Sequence, residues 1–198
     1  IQAHPTRAFA RQYFGSPVGK TESWYILEAD EAACVYIGFQ KSVTRAAWAH
    51  CFARQDVAGM LDLLHRFPVR PGECVFVPGG VPHAIGGGCL MIETQEPSDL
   101  MVVPERVTPS GVPLSDQKCH GGLGFERMLD CFEYDGLTRA EARARFFPVP
   151  RALDAHACLL LDGAENGAFT VLAIDTDTSY SPALSLGMAV AVVTEGEG

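Results

Sequence analysis

The segment from Gly72 to His83 constrains the fold of this chain more than any other stretch of the sequence. It reads Gly-Glu-Cys-Val-Phe-Val-Pro-Gly-Gly-Val-Pro-His and follows a turn at Pro71-Gly72. A short apolar run with β-branched and aromatic residues, bounded by Gly and Pro, is typical of a strand between two turns. We therefore predict a strand, a second turn at Gly80 and a further strand that projects the imidazole of His83 into a β-barrel.

Short strands and turn residues recur along the chain and favour an all-β fold, either a β-barrel or a jelly roll. Residues 20–27 and 33–39 read as strands. Because successive side chains of a strand point to opposite faces, Lys20, Glu22 and Trp24 are predicted to share one face. The three glycines at 86–88 are predicted to form a hairpin turn, since no following helix or Lys makes them a phosphate-binding loop.

Two regions carry helical patterns. Apolar residues recur at spacings of three and four within residues 44–66, which predicts a pair of helices inserted between strands. Thr138 and Glu141 have the spacing of a capping box, so a short helix is expected to begin there and to end before Pro148.

The C-terminal part of the chain is predicted to be rich in strands again. Asn166-Gly167 is a strong hairpin signal between residues 157–161 and 169–174. We expect residues 1–147 to form one domain with helical insertions. Residues 148–198 are expected to begin a second β unit.

The amino-acid composition limits the classes of function that this chain can have. The 198 residues are 47% hydrophobic and 20% charged, with a net charge of −9. That charge argues against a nucleic-acid partner, and no apolar run reaches the roughly 18 residues that a membrane helix needs. The seven cysteines are scattered and form no Cys-x-x-Cys pair, which indicates reduced thiols and a cytoplasmic protein. The oligomeric state is left open.

Four side chains form a candidate metal-binding set. Gln2 and His4 are two residues apart, so on a strand both leave the same face. Glu22 adds a carboxylate and His83 a second imidazole. Mixed nitrogen and oxygen donors suit Zn²⁺, with Mn²⁺, Fe²⁺ or Co²⁺ as alternatives. A set without thiolates favours a catalytic site with one position open to water or substrate.

Each of these residues also has a structural explanation. A Gln-x-His pair occurs by chance, Glu22 could lie on an exposed strand, and His83 could be a loop residue. Only the combination of all four residues is specific, and it becomes specific through the resemblance to a known family.

The motifs resemble those of the type I phosphomannose isomerases, which are cupins. Gly72-x5-Pro78-x-Gly80-x2-His83 is similar to the second cupin motif. The first motif is similar to the Gln-x-His-Pro and Gly-Lys-Thr-Glu patterns of that family. The resemblance covers residues 1–106 and rests on these segments: Gln2-Ala-His4-Pro5, Gly19-Lys20-Thr21-Glu22, His83-Ala84-Ile85-Gly86, Glu93-Thr94-Gln95 and Ser98-Asp99.

The resemblance implies a cupin or jelly-roll fold and a zinc enzyme that interconverts mannose 6-phosphate and fructose 6-phosphate through an enediol. A sugar phosphate would be its substrate. Lys20 would contact phosphate or assist proton transfer, while Asp99 and Glu93 would be acidic residues of the pocket. The zinc ligands implied by position are Gln2, His4, Glu22 and His83.

The sequence departs from this family in two respects. Val103 stands where the family carries an Arg; Arg106, three residues further on, would replace it only if the strand bulges. The family also has a phosphate-binding Ser just before Gln-x-His, which lies outside this chain. The first residue is Ile1, not Met, so we expect the natural protein to have flanking segments.

These departures leave two alternatives open beside the isomerase. One is another metal-dependent cupin enzyme, such as an oxygenase that uses Fe²⁺. The other is a non-catalytic module that binds a metal and a sugar, and Val103 is the residue that motivates it.

Overall fold

The computed structural model describes residues 1–181 and 188–196, and its first six strands form two three-stranded antiparallel sheets. One sheet has the strand order β4-β1-β6 and the other β3-β2-β5. The strands are β1 (Glu22–Ala29), β2 (Cys34–Phe39), β3 (Leu64–Pro68), β4 (Cys74–Val77), β5 (His83–Ile85) and β6 (Cys89–Gln95).

The two sheets pack face to face around one apolar core. Trp24 and Ile26, two residues apart on β1, are fully buried in this core. Val35 and Ile37 of β2 meet them from the opposite sheet. Burying a side chain of this size contributes about 1.5–3 kcal/mol, so this contact holds the two sheets together.

The chain crosses between the sheets at both ends of β5. Strand β4 pairs with β1, whereas β5 pairs with β2, so the turn at residues 78–82 carries the chain from one sheet to the other. The strand–turn–strand prediction for this segment is confirmed. The hairpin predicted at residues 86–88 is wrong, because β5 and β6 belong to different sheets and the glycines connect them.

The predicted pair of helices is present but ends earlier than expected. Helices α2 (Arg45–Arg54) and α3 (Val57–Asp62) confirm it, whereas residues 64–66 belong to β3. Leu64 pairs with Phe39 of β2, and this pairing with a neighbouring strand overrides the helical spacing. The pair covers a second apolar core, in which Trp48 of α2 and Met60 of α3 are fully buried.

Helix α6 (Arg139–Phe146) begins with the predicted capping box. The Thr138 hydroxyl accepts a hydrogen bond from the Glu141 N–H, and the Glu141 carboxylate accepts one from the Thr138 N–H. Phe146 anchors this helix in the core between the sheets. The shorter helical segments are α1 (Arg7–Tyr13), α4 (Asp116–His120), α5 (Phe125–Met128) and a 3-10 turn (Leu129–Cys131).

A third small sheet follows, composed of β7 (Arg151–Ala152), β8 (Ala157–Leu161) and β9 (Val171–Ile174). The predicted hairpin is confirmed, because β8 and β9 pair antiparallel. Its connection is longer than a two-residue turn and contains the one-turn helix α7 (Gly163–Asn166). Residues 182–187 and 197–198 of the predicted second β unit lie outside the described residues. In the part of the chain that is described, no helix has both the length and the apolarity to cross a membrane.

Candidate metal centre

A short strap at residues 4–7 connects the segments that carry the predicted ligands. The carbonyl of His4 accepts a hydrogen bond of 2.6 Å from the Gly80 N–H. The carbonyl of Pro5 accepts one of 3.1 Å from the Lys20 N–H. The strap therefore fixes the turn that precedes His83 and the segment that precedes β1.

Two glycines allow the backbone to approach the strap this closely. A Cβ added to Gly19 would lie 2.6 Å from the carbonyl oxygen of Pro5, and one added to Gly79 would lie 2.8 Å from the same atom. Both distances are shorter than a carbon and a carbonyl oxygen tolerate, so any side chain at either position would push the strap away.

Three of the predicted ligands converge beside the strap. The Nε2 atom of His4 is 3.1 Å from Glu22 Oε2, and the Nε2 atom of His83 is 3.3 Å from Glu22 Oε1. One donor atom from each residue lies within 4.8 Å of the others, and the side chains are at most 1% exposed. This spacing is that of a group which could hold a metal ion.

Both imidazoles are oriented toward the cluster by carbonyl groups behind them. His4 Nδ1 lies 3.0 Å from the carbonyl oxygen of Leu100, and His83 Nδ1 lies 2.8 Å from that of Val81. A carbonyl only accepts, so each Nδ1 carries the proton and donates. Each Nε2 then presents its lone pair toward Glu22, which is how histidines that bind metals are commonly held.

The cluster contains buried polar atoms that have no hydrogen-bond partner. His4 Nε2, His83 Nε2 and both carboxylate oxygens of Glu22 are unpaired although they lie close together, because with the imidazole protons on Nδ1 all four atoms are acceptors. Nearly all buried polar groups in proteins are paired. Two imidazole nitrogens and a carboxylate that point at one space fit a divalent cation, which would satisfy all of them.

The cluster also favours the protonation states that bind metals. Burial raises the pKa of Glu22, but the nearby side chains of His4 and His83 outweigh it and hold this pKa well below its usual range. Burial lowers the pKa of His83, more strongly than Glu22 raises it. An ionised carboxylate and a neutral imidazole are the forms that coordinate a cation.

Gln2, the fourth predicted ligand, lies next to His83. The backbone N–H and C=O of Gln2 each bond to His83, both at 2.9 Å, in an isolated antiparallel bridge. Residues directly opposite in such a pair have side chains on the same face. Gln2 and His83 also line a common cavity.

Of the four predicted catalytic residues, the described contacts connect Lys20 to the cluster. Lys20 is 5% exposed, and its Nζ lies 3.4 Å from Glu22 Oε2. Glu93 and Asp99 are exposed. Arg106 pairs with Asp116 at 2.7 Å and lies over the ring of Phe125.

The cavity beside His83 has a volume of about 260 Å³ and a mainly apolar wall. Val103, at the position where the predicted family carries an Arg, forms part of this wall. Val107 and Leu114 extend it. An apolar surface therefore lies next to the candidate ligands Gln2 and His83.

The sequence gives no local sign of one further residue near the site. Glu96 directly follows β6 and is only 4% exposed. Its carboxylate accepts hydrogen bonds from Arg7 and from the backbone of Thr21. Because these partners are distant along the chain, no spacing in the sequence could identify the contact.

Comparisons with curated proteins reveal relatives that are named as one kind of enzyme. The chain is 38% identical over 100 residues to the mannose-6-phosphate isomerase of Streptococcus mutans and 35% identical over 99 residues to the mannose-6-phosphate isomerase ManA of Bacillus subtilis. Each match covers 50% of this chain but 30% of the relative, so the chain spans only part of their length. No protein-family profile matches the chain.

Solved structures share the fold over a longer stretch. The mannose 6-phosphate isomerase of Bacillus subtilis superimposes with a TM-score of 0.62 and 23% identity, covering 82% of this chain and 48% of that one. A mutant phosphomannose isomerase of Salmonella typhimurium gives 0.56 and 13%, covering 81% and 56%. The similarity predicted from the motifs and the cupin-like, sheet-rich fold are thereby confirmed.

Proposed function

We propose that this chain provides the metal centre of an isomerase that interconverts mannose 6-phosphate and fructose 6-phosphate. The observation that carries the proposal is the convergence of His4, Glu22 and His83 with unpaired donor atoms. The reaction is taken from the relatives that are named mannose-6-phosphate isomerases, whose matches cover 50% of this chain.

The proposed ligands are the three clustered side chains together with Gln2. The side chain of Gln2 leaves the same face as that of His83 and would add an amide oxygen. A mixed set of this kind is typical of Zn²⁺ sites with an open position, so zinc is the proposed metal. Mn²⁺, Fe²⁺ and Co²⁺ accept the same donors.

A bound divalent cation would polarise the sugar carbonyl and stabilise negative charge that develops on its oxygen during enediol formation, a contribution of several kcal/mol. The backbone contacts of the strap hold His4 and Glu22 in place, so these ligands need no rearrangement when substrate arrives.

Lys20 is proposed to contact the substrate. A buried ammonium group beside Glu22 supplies positive charge inside a chain whose net charge is −9, which otherwise repels a phosphate ester. It could bind the phosphate or move a proton between C1 and C2 of the sugar. From the resemblance alone, Glu93, Asp99 and Arg106 are proposed to take part in proton transfer or substrate contact.

The direct test measures metal content and turnover on the same preparation. Protein purified without added metal is analysed for zinc and iron, then assayed with mannose 6-phosphate and a coupled detection of fructose 6-phosphate. Zinc with appearance of fructose 6-phosphate supports the proposal. Stoichiometric iron with oxygen consumption would instead identify another metal-dependent cupin enzyme.

The wall around Val103 favours a second candidate, a module that binds metal and sugar without turnover. The resemblance implies an Arg at this position that stabilises the reaction, and Val103 lacks its charge. Calorimetric binding of mannose 6-phosphate by the zinc-loaded chain, with no fructose 6-phosphate formed, would support this module over the isomerase.

We further propose that residues 1–147 form the metal-binding domain and that residues 148–198 begin a second β unit, as the separate third sheet supports. A cytoplasmic location is proposed as well. All seven cysteines are free, which suits a reducing compartment.

A further inference from the structure

We infer that Glu96 is a positioning residue of the metal centre, an inference that rests on the proposed metal site. Its side chain touches none of the four proposed ligands. It acts on the two backbone segments that carry His4 and Glu22, and it connects them through one buried carboxylate.

The contacts of Glu96 are short and use both carboxylate oxygens. Oε1 accepts from Arg7 Nε at 2.8 Å and lies 2.6 Å from Arg7 Nη2. Oε2 accepts from the Thr21 N–H at 3.0 Å, and the Glu96 N–H donates to the Thr21 carbonyl at 2.9 Å. Glu96 thereby bonds to the guanidinium group of Arg7 and to both the N–H and the C=O of Thr21.

These two partners are the neighbours of the proposed ligands. Arg7 ends the strap that begins with His4. Thr21 lies between Lys20 and Glu22, so the bonds from Glu96 fix the backbone between these two residues of the proposed site. Ser98 adds a hydrogen bond of 2.7 Å from its hydroxyl to the Gly19 carbonyl.

Removing the Glu96 carboxylate would leave a partly buried backbone N–H and an exposed guanidinium group without their acceptor. The Thr21 N–H would lose the bond that it donates to Oε2, and Arg7 would lose its only described carboxylate partner. The Lys20–Glu22 segment would keep its backbone hydrogen bond to the Pro5 carbonyl of the strap but would lose its carboxylate link to Arg7. Losing a group that orients metal ligands typically weakens metal binding by about 10-fold to 100-fold.

Glu73 provides a matched control elsewhere in the fold. It too accepts from an Arg and a backbone N–H: Arg143 Nη2 contacts Glu73 Oε1, and the Arg70 N–H donates to Glu73 Oε2 at 2.9 Å. Its side chain is 25% exposed. Glu73 lies before β4, at the end of the sheet away from Glu22, so it anchors the backbone without touching a ligand segment.

The experiment compares E96A and E73A by zinc affinity, by the visible absorption of the Co²⁺-loaded protein and by the melting temperature of the metal-free protein. E96A is expected to bind zinc about 10-fold more weakly and to shift the Co²⁺ bands. E73A is expected to lower the melting temperature while leaving the Co²⁺ bands unchanged. E96D keeps the charge but is too short to reach both partners, so it should resemble E96A and serves if E96A does not fold. E96Q keeps the length and should bind zinc with an affinity between those of E96A and wild type.

Wild-type zinc affinity and unchanged Co²⁺ bands in both E96A and E96D would overturn the inference, and so would equal weakening by E73A. Neither result depends on substrate. A wild-type chain that binds zinc but forms no fructose 6-phosphate would instead overturn the proposed function and leave the role of Glu96 standing.

Discussion

The two sides of His83 differ sharply in chemistry. Toward the interior, its Nε2 meets Glu22 and lies near His4, in a cluster that is almost fully buried and contains only polar donors. The cavity that His83 also lines is bounded mainly by apolar side chains, among them Val103 and Val107. One side has the groups that a cation needs, and the other lacks the charge that an anionic substrate would favour.

This contrast separates two requirements of a metal-dependent isomerase. Metal binding needs convergent donors, and the interior side provides them through backbone contacts that leave little freedom. Turnover needs further charges around the substrate, and here Lys20 stands on the interior side of the site. Variants of the cluster and of the cavity wall therefore test the two requirements separately.

The largest effect is expected from His83→Ala. Loss of a ligand should weaken zinc binding by more than the roughly 10-fold to 100-fold that loss of a hydrogen-bonding neighbour causes, and turnover should disappear. Zinc content and far-ultraviolet circular dichroism are measured together, and the β-sheet signal should persist. His65→Ala is the control, since His65 is also buried and bonds to the Leu137 carbonyl. Full zinc content in His83→Ala would refute the assigned site.

Val103→Arg tests the apolar side. A guanidinium group next to His83 would supply the missing charge, and since one such electrostatic group is worth 10²–10³ in rate elsewhere, an increase in kcat of at least about 10-fold is expected. Val107→Arg places the same charge elsewhere on the cavity wall and should not increase kcat. Equal effects of the two variants would show that position 103 is not special.

Lys20→Met is expected to keep zinc and to weaken substrate binding. The methionine fills the buried space of the lysine stem but lacks the charge, and the loss of a charged hydrogen bond corresponds to about a 10-fold increase in KM. Steady-state kinetics with mannose 6-phosphate measure it, and the exposed Lys41→Met serves as the control. An unchanged KM would remove Lys20 from the substrate contacts.

Removing the metal tests the interior side of the site through the stability of the fold. A ligand present at about 100 times its dissociation constant stabilises a fold by about 2.7 kcal/mol, which is about 5–10 °C in melting temperature for a protein of this size. Differential scanning calorimetry with and without a chelator measures the shift. His83→Ala should show no such shift, and a chelator effect of equal size in that variant would place the cation elsewhere.

The sequence predicted those features that depend on local patterns or on a complete motif. The capping box at Thr138, the β8–β9 hairpin and the turn that delivers His83 are of this kind, and the structure confirms them. The contact between His83 and Glu22 could be expected only from the combined family motif. The local sequence around each residue does not determine the distance between them.

Features that depend on pairing with distant segments could not be predicted. Leu64 continues an apolar spacing of three from Leu61, yet it pairs with Phe39 in a sheet. The glycines at 86–88 look like a hairpin turn, but the partners of their flanking strands lie in different sheets. Glu96 is an acidic residue after a strand, and only its partners reveal its burial.

The strap at residues 4–7 has a consequence for the order of events during folding. It bonds both to Lys20, near the start of the chain, and to Gly80, which follows the whole helical pair. The cation site is complete only after the long intervening loop has closed, and closing such a loop costs chain entropy that short-range contacts do not. The appearance of Co²⁺ absorption during refolding would therefore report the last stage of assembly, after the helices and hairpins have formed.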